Sequence, residues 1–159
     1  MTTDPTSTSA GNYAYSKRNL DSVEQIVPGV TLEWLTNGRI AYFNVTTVER
    51  VAVDAWLNCS LGIVKSWPAE VPYLAIHNVS GSALTPYTRE RSAQTVAMTP
   101  QYLHGRSAVV MPRTIFNQAI QLFVTINLAR QKPNIQRRVF LDLDESIRWV
   151  LNYHKTEDR

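Results

Sequence analysis

The chain of 159 residues is short of cysteine, glycine and histidine, and each shortage removes a class of chemistry. A single cysteine, Cys59, can form neither an internal disulfide nor a multi-cysteine zinc site. Gly11, Gly29, Gly38, Gly81 and Gly105 fall at expected element boundaries and Gly62 within a helical stretch. A phosphate-cradling loop needs glycines clustered before a helix, and no G-x-G-x-x-G, Walker A or G-x-S-x-G occurs. His77, His104 and His154 lack the spacing of a metal pair, so no metal, no cofactor and no catalytic constellation is expected. The most apolar run, Ala119 to Ala129, is broken by Gln121, Thr125 and Asn127 and is shorter than the ~18 residues a membrane span requires.

What is present suits one globular domain: 44% of the residues are apolar, and the length matches a single core. Met1 to Gly11 is rich in Ser and Thr, and no apolar segment follows it. A secretory signal is therefore not expected, and the lone thiol suits the cytoplasm. The net charge of +3 is unevenly spread. Residues 1–85 carry five Lys/Arg and seven Asp/Glu, residues 86–140 eight and one, and residues 141–159 three and five. In the basic middle the only acid is Glu90, which predicts a basic surface: a solvated one balanced by carboxylates that the fold brings in, the favoured reading, or one that meets an anionic partner. The tryptophans at 34, 56, 67 and 149 all lie outside that stretch. Nucleic acid, which needs aromatics among the cations, is therefore not the expected partner.

Residues 1–20 read as a disordered polar tail, 21–155 as one α/β domain and 156–159 as a polar end. Val30, Leu32 and Trp34 alternate with polar residues, and Asn37-Gly38 leads into Ile40, Tyr42 and Val45, which predicts a hairpin with a type I′ turn. Thr46-Thr47-Val48-Glu49 has the form of a capping box for a helix with Val48, Val51, Ala52, Ala55, Trp56, Cys59 and Ile63 on its apolar face. A strand over Tyr73–Val79 follows. A helix opened by Thr85-Pro86 comes next, then a strand over Ser107–Met111 and a long helix over Ile115–Gln131. Last come a strand over Gln136–Leu141 and a helix capped at Asp142. This order predicts an N-terminal hairpin and a mostly parallel five-stranded sheet flanked by about four helices.

Open α/β sheets bind ligands beyond the carboxyl ends of their strands. Here that edge gathers Asn78, Ser80, Gly81, Arg113 and Thr114. Arg113 beside a helix N-terminus is unfavourable without an anion or carboxylate nearby. A small anionic ligand or lipid is one way to satisfy it, and pairing with Asp142 is another. Arg137 is placed at the opposite edge with His104, Arg106, Arg130 and Lys132. The helix over Ile115–Gln131, apolar round most of its circumference, is expected either to be unusually buried or to form a homodimer interface.

The ending Arg137-Arg138-Val139-Phe140-Leu141-Asp142-Leu143-Asp144-Glu145-Ser146-Ile147-Arg148-Trp149-Val150-Leu151 resembles the close of SpoIIAA-like and STAS (sulfate transporter and anti-sigma factor antagonist) domains. There an R-x-F strand feeds an acidic cap and an E-A-x-x-W-L helix. The opening hairpin and Ile76-His77-Asn78-Val79-Ser80-Gly81 before a helix are also similar in arrangement, over residues 30–153. The resemblance implies a regulatory, non-enzymatic module that binds a protein partner through the loop and helix after Tyr73–Val79, switched by phosphorylation of a serine. Leu84-Thr85-Pro86-Tyr87-Thr88 stands where that serine would be, which leaves Thr85 and Thr88 as candidate acceptors or partner contacts.

Overall fold

A computed structural model describes residues 13–81, 84–114 and 134–154. Its strands are β1 (Glu24–Val27), β2 (Val30–Leu35), β3 (Ile40–Val45), β4 (Tyr73–Asn78), β5 (Gly105–Val110) and β6 (Ile135–Phe140). They form one sheet in sequential order. β1–β2 and β2–β3 pair antiparallel, whereas β3–β4, β4–β5 and β5–β6 pair parallel. The α-helices among the described residues are α1 (Arg50–Ser66), α2 (Pro86–Ala97) and α3 (Leu143–Leu151). The fold is thus α/β and mostly parallel, but with six strands rather than five. The helix expected over Ile115–Gln131, and the dimer interface assigned to it, lie outside the described residues.

The sixth strand is β1, whose first two residues are exposed and whose pairing with β2 shifts between Gln25 and Val27. Pro28-Gly29 turns it into β2, with Gly29 at φ 85°, as a type II turn requires. The next hairpin is wider than a two-residue turn: Thr36, Asn37 and Gly38 all have positive φ, and the Arg39 amide donates to the Leu35 carbonyl at 3.1 Å. Residues 13–20, placed in the tail by sequence, include a 3-10 turn at Tyr15–Lys17. Tyr15 packs against Trp67 at 4.5 Å and Trp34 at 6.1 Å, and the Arg18 guanidinium lies over the Tyr15 ring.

The capping box at Thr46 does not form. Thr46 continues the strand, its amide and hydroxyl both donating to the Gly29 carbonyl, and α1 starts later with Glu49 at the cap. The helix is therefore rotated from the expected face. Ala52, Val53, Trp56, Leu57, Cys59, Ile63 and Val64 are buried, while Val51 is 74% exposed. The other two caps match their sequence signals. The Thr85 hydroxyl accepts the Thr88 amide, with Pro86 in the first turn, and Asp142 Oδ1 accepts the Glu145 amide at 2.9 Å.

Strand alternation divides the core between the two faces. On one face α3 covers Ile40, Leu74, Ile76, Ala108, Val110 and Phe140. On the other, Val30, Phe43, Ala75, Val79 and Val139 share one cluster with the buried residues of α1, and α2 packs beside α1. α2 itself buries a single residue, Thr88. It is fastened by a polar clasp instead: the Tyr87 hydroxyl donates to Asp54 at 2.7 Å, Arg91 Nε donates to the same oxygen at 2.9 Å, and Arg50 lies over the Tyr87 ring. Burial pushes the Asp54 carboxyl up, but the hydrogen bonds from Tyr87 and Arg91 and the charges of Arg91 and Arg50 outweigh it and leave its pKa lowered.

Candidate functional site

Between α1, α2 and strands β4, β5 and β6 lies a cavity of about 440 Å³, a size within the ~300–1,000 Å³ of small-molecule sites. Register explains it. Ala41, Ala75, Ser107 and Arg137 form one row across four adjacent strands. Strands lie ~4.8 Å apart, so Ala75 and Ser107 leave the middle of this row low. The neighbouring rows are taller, with Tyr73 and Ile135 on one side and His77, Val109 and Val139 on the other. Gly105, between Tyr73 and Ile135, has no freedom to be larger, because a Cβ there would stand 1.9 Å from the Tyr73 carbonyl oxygen. Leu57, Val64, Val96, Val109, Met111 and Val139 make most of the wall apolar.

The polar groups on this wall include Ser60, Tyr73, His77, Ser92 and Ser107, and three arginines border it, Arg89, Arg137 and Arg138. No Asp or Glu lines the cavity among the described residues. Arg137 follows the phase of Ile135 and Val139 and so faces inward. Its Nη1 donates to the Ile135 carbonyl at 3.5 Å, the outer limit for a hydrogen bond, and no carboxylate of the described residues forms an ion pair with it. Residues 91–141 contain no acid at all. Burial lowers the pKa of its guanidinium, against a small opposing effect of Tyr73. Burial likewise pushes the Tyr73 phenol up to about 12, with the Arg137 charge and a hydrogen bond with Ser60 pulling the other way.

His77 completes the floor. Its ring stacks on Phe43, the directly paired residue of β3, at 5.0 Å and 4°. Trp56 Nε1 donates to its Nδ1 at 3.0 Å, which assigns the proton of the neutral ring to Nε2. Burial, aided by the Arg137 charge, lowers its pKa to about 4. At neutral pH His77 is therefore an uncharged Nε2–H donor. Cys59 is not on this wall; it is 1% exposed on α1, and burial raises its pKa.

The residues singled out at the strand-end edge are located apart from the cavity wall. Asn78 Nδ2 donates to the Tyr42 hydroxyl at 2.9 Å, and Asn78 Oδ1 accepts the Ser80 amide at 3.0 Å. Gly81 abuts Thr46. Arg113 stands 4.0 Å from Asp142, with its side chain 72% exposed, and the Thr114 amide donates to the Pro112 carbonyl. Thr85 and Thr88 share a hydroxyl–hydroxyl contact of 2.9 Å, Thr88 being buried. Sequence reasoning missed Arg137 as a site residue. The signal was available in β6, where two-residue alternation puts it in phase with Ile135 and Val139.

No group of three His, Cys, Asp or Glu able to hold a metal occurs among the described residues, and no helix there is long and apolar enough to cross a membrane. Comparison with known proteins finds no matching family model, no matching curated protein and no matching solved structure.

Proposed function

We propose that this chain is a non-enzymatic, ligand-responsive interaction module of SpoIIAA/STAS-like type, acting in the cytoplasm. A small molecule occupies the cavity and a protein partner reads the outer surface of α2. The observation that carries the reading is the position of the cavity directly beneath α2. The element order and the Asp142-capped closing helix support the STAS-like part, and α2 is the helix that the resemblance makes the partner contact. The wall favours binding over turnover: His77 is neutral with its Nδ1 occupied, and among the described residues no carboxylate lines the cavity to act as a base. A second site for anions at Arg113 is less favoured, because its side chain is 72% exposed and Asp142 stands 4.0 Å from it.

The test is saturable binding of a neutral apolar dye, Nile red, to the native chain. Stoichiometric binding is expected, together with its loss on Ser107→Leu, which fills the low row. The absence of saturable binding in the unaltered chain, or undiminished binding in a folded Ser107→Leu variant, contradicts the reading.

A further inference from the structure

Resting on that reading, we propose that the cavity selects one chemical class of ligand: an apolar body ending in a single carboxylate, with the carboxylate on Arg137 and the Ser107 hydroxyl beside it. Three observations carry this. The first is charge complementarity. Arg137 lines a half-open, mostly apolar space without a carboxylate partner among the described residues, and the intervening sequence 91–141 offers none. A half-buried cation on an apolar wall is costly in this state, and an anionic ligand group offsets the cost. Its planar fork also matches a carboxylate in geometry.

The second is the character of the neighbours. Ser107 is paired with Arg137 in the β5–β6 register, Tyr73 and Ser60 adjoin them, and none carries negative charge near neutral pH. Two to three donors around one cation suit a carboxylate's acceptor positions. The third is the rest of the wall, where aliphatic side chains from α1, α2, β5 and β6 have only apolar surface to offer. The same wall disfavours a phosphate monoester, whose charge of about −1.5 to −2 exceeds what the half-buried Arg137 guanidinium alone neutralises. Arg138 does not add to the count at this point, because its guanidinium lies over Phe140, on the α3 face. Arg89 is exposed on α2 and acts by attracting anions towards the cavity.

The probes are dodecanoate, dodecanol, dodecylamine and dodecyl phosphate, titrated calorimetrically into the full chain below their micellar concentrations. Dodecanoate is expected to bind at 1:1 and more tightly than the other three. Arg137→Met is expected to weaken dodecanoate about ten- to a hundredfold, the loss of a charged hydrogen-bonded contact, and to leave dodecanol unchanged. Retained dodecanol binding also shows that the variant is folded. Arg137→Lys, which keeps the charge without the fork, is expected to fall between. Equal binding of acid and alcohol, a preference for dodecyl phosphate, or Arg137→Met holding dodecanoate as tightly as the unaltered chain overturns the carboxylate assignment and leaves the cavity reading standing. Failure of all four probes overturns both.

Discussion

His77 shows how one residue can be fixed by its neighbours rather than by its own preferences. Phe43 stacks on one face, Trp56 donates to Nδ1, and burial with the nearby Arg137 charge holds its pKa near 4. The consequence is a pH dependence with a definite sign. Between about 4 and the ordinary 6.5, the unfolded chain takes up a proton that the folded chain refuses. Stability is therefore complete above pH 6.5, declines as the pH falls through this window, and has lost the whole contribution below pH 4. The size is up to roughly 3 kcal/mol. Denaturant melts at a series of pH values are expected to show this slope in the native chain and a flatter one in His77→Gln, which keeps an acceptor for Trp56. An identical slope in the two would assign the effect elsewhere.

Among the elements, α2 is the least anchored by apolar burial, and its attachment depends on the clasp at Asp54. Exposed pairs of this kind are worth little in global stability, on the order of 0.5–1 kcal/mol. They can still decide whether a lightly buried helix opens locally. Asp54→Ala is accordingly expected to lower the melting temperature only slightly while speeding amide hydrogen exchange selectively across Pro86–Ala97; uniform acceleration through the sheet would contradict the clasp. Elements also differ in how readable they are. The start of α3 was legible, because Asp142, an acidic first turn and the spacing of Ile147, Val150 and Leu151 all agree. β1 was not, since Glu24-Gln25 are polar and exposed on a short edge strand with a shifted register, leaving no alternation to detect. The start of α1 was misread because Thr46 has two competing partners. Its bonds to Gly29, seventeen residues away, prevail over the local cap.

At the scale of the whole molecule, the basic stretch 86–140 acquires a place. It supplies α2, β5 and β6, three of the elements that surround the cavity, so the excess of cations seen in the sequence borders a half-open cavity as well as the outer surface. The strand-end edge was the natural expectation for an open sheet, yet its polar groups bond largely to one another. The cavity was less legible because it arises from pairing. Ala75, Ser107 and Arg137 are separated by about thirty residues each and become a row only when the register aligns them. A ligand that binds only the folded chain stabilises it by mass action, but a rise in melting temperature would not tell the cavity from the edge. Nuclear magnetic resonance of the isotope-labelled chain titrated with dodecanoate does. Shift changes centred on Tyr73, Ser107, Val109 and Arg137 and extending into α2 are predicted, whereas changes centred on Asn78, Ser80, Arg113 and Thr114 would contradict the account.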